Sequence, residues 1–523
     1  MSALLAMGAC QSPPPAPPGD SPTLVVMLAV DQLEAGLLAR YDALYSGGLR
    51  RLLDEGFSFQ NATHDHASTE TAPGHTTLAT GVHPTRHGIV GNTWFVRESE
   101  GWRSVYSMED DGSPILGHPE MPGRGPANIV RGGLADWILE RDADARVVSV
   151  SRKDRSAIGL AARAPGEVYW LVGEAGAFIT SEHYRGSYPA WLADFNARVM
   201  PRVYADTVWE GAVPPQARSL TRPDTSRWEL DGEHTAFPHR PADTGDAGSA
   251  EGMNSWRFEF TPFPDRAVVE LAMEAVRQLD LGQRATVDYL GVSLSQTDLV
   301  GHHFGPGSRE QLDNLLRVDT ELARLFAFFD EEVGPGRWVL AFSADHGILE
   351  IPEELAARGE PAQRLTRDHR QQLLDRIQAG VTAAQGSGGS EAESVRDAVA
   401  SLPFVAGAYT FEDVESVSPP DSFAVLFRNS HAPDKAVGLS DRWGVYVRFP
   451  EHALEWNTAR ATHGSPYYYD RHVPLIFLGA GVRAGTSAER VATVDAAPTL
   501  AALARIPAPD DLDGRSLESI LSR

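Results

Sequence analysis

The sequence predicts an α/β fold: a mainly parallel central sheet flanked by helices, with subdomains inserted between its strands. Three observations predict it. Five short apolar runs, Leu24–Val30, Val147–Val150, Tyr289–Leu294, Trp338–Phe342 and Val473–Leu478, are too short for helices and rich in Val, Leu or aromatic residues. Strands buried on both faces read this way. Helical patterns separate the runs, as crossovers between parallel strands require. The composition is globular, 42% apolar and 22% charged over 523 residues, with no apolar stretch of the ~18 residues that a membrane span needs. A polytopic membrane protein, a coiled coil and a disordered chain are thereby excluded.

The elements follow in order. Ala3–Ala9 is a short apolar stretch before Cys10, and Gln11–Gly19 is rich in proline. Small residues before a Cys, then a Pro-rich tether, resemble a bacterial lipoprotein signal with Cys10 as the lipidated residue; a fortuitous N-terminal segment is the alternative. Residues 1–21 are expected outside the fold, and residues 22–523 form one domain. Ala35–Leu53 reads as the helix after the first strand. Gln311–Phe329 carries Leu312, Leu315, Leu316, Leu322, Leu325, Phe326 and Phe329 at helical spacing, a crossover helix with a wide apolar face. Two stretches interrupt the alternation, about 93–255 and 352–455, and both read as insertions into the one domain. Within the second, Gly386–Ser390 is a Gly/Ser patch, and Phe423–Phe427 with Val445–Phe449 reads as a two-stranded hairpin. Asp243–Gly252 reads as disordered, and no internal repeat is present.

Charge and cysteine usage bound the chemistry. Lys plus Arg number 46 and Asp plus Glu 71, a net charge of −25, which argues against a nucleic-acid-binding surface. An anionic substrate remains compatible, because cations or metals can invert the field inside one cleft. One cysteine excludes an intrachain disulfide and any multi-Cys zinc site, so a metal here is held by His and carboxylates.

Four of the five apolar runs end in candidate chemistry: Asp31-Gln32; Ser151-Arg152-Lys153-Asp154-Arg155; Asp298 with His302 four residues on; and Asp345-His346-Gly347. In open α/β sheets ligands bind beyond the carboxyl ends of the strands. Three aspartates and two histidines delivered there form a metal cage, and this thiolate-free donor set suits Zn²⁺ at a catalytic site. Taken singly, Asp-His-Gly reads equally as a turn, and Asp31 or Asp298 as a helix N-cap. Thr71 precedes Pro73 at the start of a helical stretch, where backbone N–H groups and the helix dipole favour an anion. An adjacent Zn²⁺ would make its hydroxyl a nucleophile; an N-capping Thr is the alternative.

Seven segments in order then carry a resemblance: Val30-Asp31-Gln32, Thr71–Thr76, His87–Asn92, Ser151–Arg155, Thr297–His302, Ala344–Gly347 and Thr462-His463-Gly464-Ser465, with Trp191–Asn196 besides. From about residue 23 to the C-terminus the chain resembles the bacterial phosphate-irrepressible, threonine-nucleophile alkaline phosphatases, relatives of the nucleotide pyrophosphatases and phosphodiesterases. The resemblance implies two Zn²⁺ per chain. Asp298, His302 and His463 would hold one; Asp31, Asp345, His346 and deprotonated Thr71 the other. His463 comes from the resemblance alone, and His64, His66, His75, His83, His87, His303 and His472 stay structural or solvated. By the same resemblance Asn92, Lys153 and Arg155 hold phosphate oxygens, unless the two cations are solvated surface charges. The implied enzyme is a phosphomonoesterase working through a phosphothreonine intermediate on small phosphate esters. It would be monomeric and periplasmic or otherwise extracytoplasmic, with lipid anchoring through Cys10. A phosphodiesterase shares the cage and the threonine. A sulfatase-like enzyme would carry Cys or Ser as nucleophile, and a non-enzymatic anchored binding protein would make the ligands incidental.

Overall fold

The structure is a computed structural model and describes residues 21–173, 175–204, 208–240, 258–456 and 459–521. Among these, nine strands form the central sheet: β1 (Leu24–Val30), β2 (Phe57–Thr63), β3 (Val147–Ser151), β4 (Glu167–Val172), β5 (Ala177–Ile179), β6 (Asp288–Leu294), β7 (Trp338–Ser343), β8 (Leu475–Gly479) and β9 (Gly485–Ala492). Their spatial order is β9-β2-β8-β7-β1-β6-β3-β4-β5. The central five run parallel, with Leu24 opposite both Asp288 and Trp338, while β8 and β5 run antiparallel to their neighbours. β1 is fully buried along its length. Its even-numbered residues pack with Leu312, Leu315 and Leu322 on one face, and Val25, Met27 and Ala29 pack with Leu134, Leu500 and Ala501 on the other. Helices cover both faces, which is why this strand reads as one continuous apolar run.

The long crossover helix is α4 (Arg309–Glu332), capped by Ser308 through the backbone N–H of Gln311. Three earlier helices carry site residues: α1 (Thr71–Thr80), α2 (Asp154–Ala161) and α3 (Gln296–Phe304).

Some expectations are corrected. Ala35–Leu53 is not one helix. It breaks into Ala35–Arg40, a 3₁₀ turn at Asp42–Leu44 and Gly48–Glu55. Buried Asp319 on α4 accepts from the backbone N–H groups of Ser46, Gly47, Leu49 and Arg50 at 2.9, 2.7, 2.8 and 3.3 Å, which restarts the helix there. The hairpin is wrong as well. Phe423–Phe427 lies in the helix Ser422–Asn429, N-capped by Asp421 through Ala424, and Val445–Arg448 instead pairs antiparallel with Gly407–Thr410. An unalternating apolar run fits either element, and the Asp cap decides for the helix. The Gly/Ser patch joins the helices Arg367–Ser387 and Glu391–Ala400, with Gly388 left-handed at the first helix's end. Cys10 and Asp243–Gly252 lie outside the described residues.

Candidate metal centre and active site

The C-terminal ends of the parallel strands deliver the site. Asp31 and Gln32 follow β1, Lys153 follows β3, Asp298 and His302 lie on α3 after β6, and Asp345 and His346 follow β7. His463 comes from the loop before β8. Two ligand groups result: Asp298, His302 and His463, and Asp31, Asp345 and His346, each with its donor atoms within 4.8 Å of one another. Asp298 lies in the first turn of α3 and His302 one turn on, so both face one side, with Nε2 3.1 Å from Oδ1. His463 Nε2 lies 3.6 Å from the same oxygen, and its ring stacks on His346 at 3.5 Å, bringing the two groups side by side.

Each ligand imidazole is oriented. Nδ1 of His302 donates to the carbonyl of Ala461 at 2.8 Å, that of His463 to Thr69 at 2.7 Å, and that of His346 to Gly347 at 3.0 Å. A carbonyl only accepts, so Nδ1 carries the proton and Nε2 presents its lone pair to the site. Burial, reinforced by the neighbouring imidazoles His346 and His302, holds His463 well below the ordinary histidine range and keeps it neutral. Among the described residues, Oδ1 of Asp31, Oδ2 of Asp345 and Nε2 of His346 are buried without a hydrogen-bond partner. Unpartnered donor atoms of this chemistry, converging where burial is complete, fit a divalent ion.

Thr71 is the first residue of α1 and is 1% exposed. A Cβ on Gly74 would overlap the carbonyl of Asp345, so glycine lets the start of α1 lie directly on the loop that carries Asp345 and His346. His75 donates from Nδ1 to the Thr71 carbonyl at 2.9 Å, with Asp345 Oδ2 3.2 Å away, and its Nε2 meets Ser293 Oγ at 2.8 Å. His75 therefore supports the site from behind. Asn92 Oδ1 accepts from the Ala72 N–H at 2.8 Å, while the Asn92 N–H donates to the Glu70 carboxylate at 2.5 Å.

Lys153 is no surface charge. Its Nζ lies 2.7 Å from Asp31 Oδ2 and 2.6 Å from Asp298 Oδ2, between the two ligand groups. Burial pushes Asp298 up, but His302, Lys153 and His463 outweigh it and hold the carboxyl well below the usual range. Asp31 goes the other way, raised by burial and by Asp345 against the pull of Lys153. Arg155 stays cationic: burial opposes its charge, but Tyr106, Asp154 and Asp31 outweigh it, and its buried Nε has no partner among the described residues. His303, by contrast, lies against Phe260 in a tilted ring contact at 3.5 Å.

Gln32, beside Asp31, is a further residue of the site. It is fully buried with φ +69, a left-handed conformation rare outside glycine. Its N–H donates to Asp345 Oδ1 at 3.0 Å and its side-chain amide to Asp298 Oδ1 at 2.6 Å, so one residue ties both ligand groups together. Gly301 permits this, because a Cβ there would overlap Gln32 Oε1. Such strain concentrates at functional sites. A cleft of about 610 Å³ opens beside the ligands, reaching His302, His463, Glu70 and Asn92.

Comparison with known proteins gives the family. The model of the family described as type I phosphodiesterase / nucleotide pyrophosphatase matches residues 25–426. Alkaline phosphatase PhoV of Synechococcus elongatus is 29% identical over 96% of this chain and 93% of its own. Alkaline phosphatase PhoK of a Sphingomonas species is 30% identical over 96% and 92%. The crystal structure of alkaline phosphatase PafA superposes with a TM-score of 0.85 at 27% identity, covering 96% of this chain and 99% of that one. The relative named alkaline phosphatase PafA, from Elizabethkingia meningoseptica, is 29% identical over 96% of this chain. The chain belongs to the type I phosphodiesterase / nucleotide pyrophosphatase family, with alkaline phosphatases among its full-length relatives.

Proposed function

We propose that this protein is a metal-dependent phosphomonoesterase in which Thr71 accepts the phosphoryl group. The observation that carries the reading is the juxtaposition of two three-residue ligand groups, bridged by Lys153, with the start of the Thr71 helix packed on the Asp345 loop. Zn²⁺ in both groups would lower the pKa of the Thr71 hydroxyl and stabilise charge on the leaving oxygen. Thr71 Oγ1 forms a bond to phosphorus as the bond from phosphorus to the leaving oxygen breaks, giving a phosphothreonine. Water then hydrolyses that ester, releasing phosphate and restoring the hydroxyl. The first turn of α1 presents backbone N–H groups and a positive dipole end to phosphate oxygens. Asn92 fixes that turn through Ala72. Lys153 and Arg155 supply the charges for the additional anionic oxygen that a monoester has over a diester.

Paired rates on an aryl phosphate and a bis-aryl phosphate, with and without chelator, test this. The reading expects the monoester to be favoured and both rates to vanish reversibly on chelation. A diester preference selects the phosphodiesterase reading, which the family description itself favours. We further propose two zinc ions per chain, a monomer acting on small phosphate esters without a nucleic-acid partner, and an extracytoplasmic location anchored through Cys10. No helix among the described residues is long and apolar enough to cross a membrane. Detergent partitioning that Cys10→Ser abolishes would support the anchor; unmodified Cys10 in the native protein would remove it.

A further inference from the structure

We infer that the cleft beside the ligand groups selects phosphate esters whose leaving group carries a cationic ammonium, with Glu455 as counter-charge and Phe449 and Trp456 as its walls. This rests on the phosphomonoesterase reading and names its substrate class. The cleft runs from His302 and His463 to Phe449, Glu455 and Trp456, and a second cavity of about 230 Å³ shares those last three residues and Phe95. They therefore line both spaces. Glu455 is accessible from the cleft and forms no hydrogen bond or ion pair among the described residues.

The charges that act on Glu455 are also negative. They are Glu70 and Asp441, so a cation beside Glu455 would relieve mutual repulsion. Two arginines line these walls, Arg448 in the cleft and Arg442 in the second cavity. Arg448 donates to the Tyr467 hydroxyl at 2.7 Å and to the Ala406 carbonyl at 3.0 Å, and lies over Phe423 at 4.0 Å. Arg442 lies over Phe95 at 4.1 Å and Trp102 at 5.6 Å. Neither forms an ion pair with Glu455. The Phe449 and Trp456 rings meet edge to face at 5.5 Å and 80°, so two nearly perpendicular rings line the same cleft as Glu455. Aromatic faces with an adjacent carboxylate attract ammonium groups, quaternary ones included, and gain nothing from a neutral alcohol of the same shape.

The test compares phosphocholine with its uncharged isostere, 3,3-dimethylbutyl phosphate, on the zinc-loaded enzyme. The inference expects kcat/KM for phosphocholine to exceed that of the isostere by about tenfold or more. Glu455→Gln should cut the ratio severalfold, and Trp456→Leu should lower it further. A ratio near one in the parent enzyme, or a preference that survives Glu455→Gln undiminished, overturns the inference while leaving the phosphomonoesterase reading intact. If neither ester nor an aryl phosphate is hydrolysed, the phosphomonoesterase reading fails and takes the inference with it.

Discussion

Gln32→Leu isolates the tie between the two ligand groups. Leucine has a similar volume but no donor, so Asp298 Oδ1 loses the amide that meets it at 2.6 Å. The N–H of residue 32 remains, and with it the 3.0 Å bond to Asp345. A hydrogen bond to a charged group contributes about 1.5–3 kcal/mol, which corresponds to roughly 10–100-fold in an equilibrium constant. Residues that orient ligands typically change metal affinity by about that factor. Titration of the metal-free protein with chelator-buffered Zn²⁺ should therefore show one binding step weakened about 10–100-fold and the other nearly unmoved. The weakened step belongs to Asp298, His302 and His463. Equal weakening of both steps, or none, would refute the assignment of Gln32 as the residue that positions Asp298.

Further outcomes follow from other contacts. Arg155→Ala and Lys153→Ala should lower monoester kcat/KM by roughly 10²–10³ and diester kcat/KM much less; equal losses would make the pair a support for fold or metals. Asp319→Ala should cost about 3 kcal/mol or more in denaturant unfolding, because four backbone N–H groups lose a buried acceptor. Burial pushes His64 down to about 4 despite its bond to the Ala344 carbonyl, so below its ordinary pKa of about 6.5 the unfolded chain takes the proton first. Stability should then fall by roughly 3 kcal/mol as pH drops from about 6.5 to about 4 and level off below, with buried His66 and His87 steepening the fall. His64→Gln should flatten that slope in unfolding free energies measured against pH.

The residues differ in how far the sequence exposes them. Asp31, Asp298 with His302, and Asp345 with His346 are readable because each follows an apolar run, and strand ends are where an α/β sheet presents its chemistry. His463 has no such marker. It sits in a loop before an antiparallel strand, and only the Thr462–Ser465 resemblance singles it out. Gln32 is adjacent to Asp31 in sequence, yet its role depends on a left-handed φ and on the close approach of Gly301, neither of which periodicity encodes. Lys153 is legible as a cation at a strand end, but its contacts with Asp31 and Asp298 arise from strands β1 and β6, far from it in the chain. The break in Ala35–Leu53 has the same origin: the acceptor that restarts the helix is Asp319, some 270 residues away. Phe423–Phe427 fails for a local reason, since an apolar run of that length carries no period and only Asp421 tells helix from strand.

Acid quench of the zinc-loaded enzyme during turnover of a ³²P-labelled aryl phosphate tests the central claim most directly. The account predicts label recovered as phosphothreonine in the peptide containing Thr71, and none in Thr71→Ala, which should still bind both metals through the two three-residue groups that remain. Label on another residue, or rapid turnover by Thr71→Ala, would contradict it.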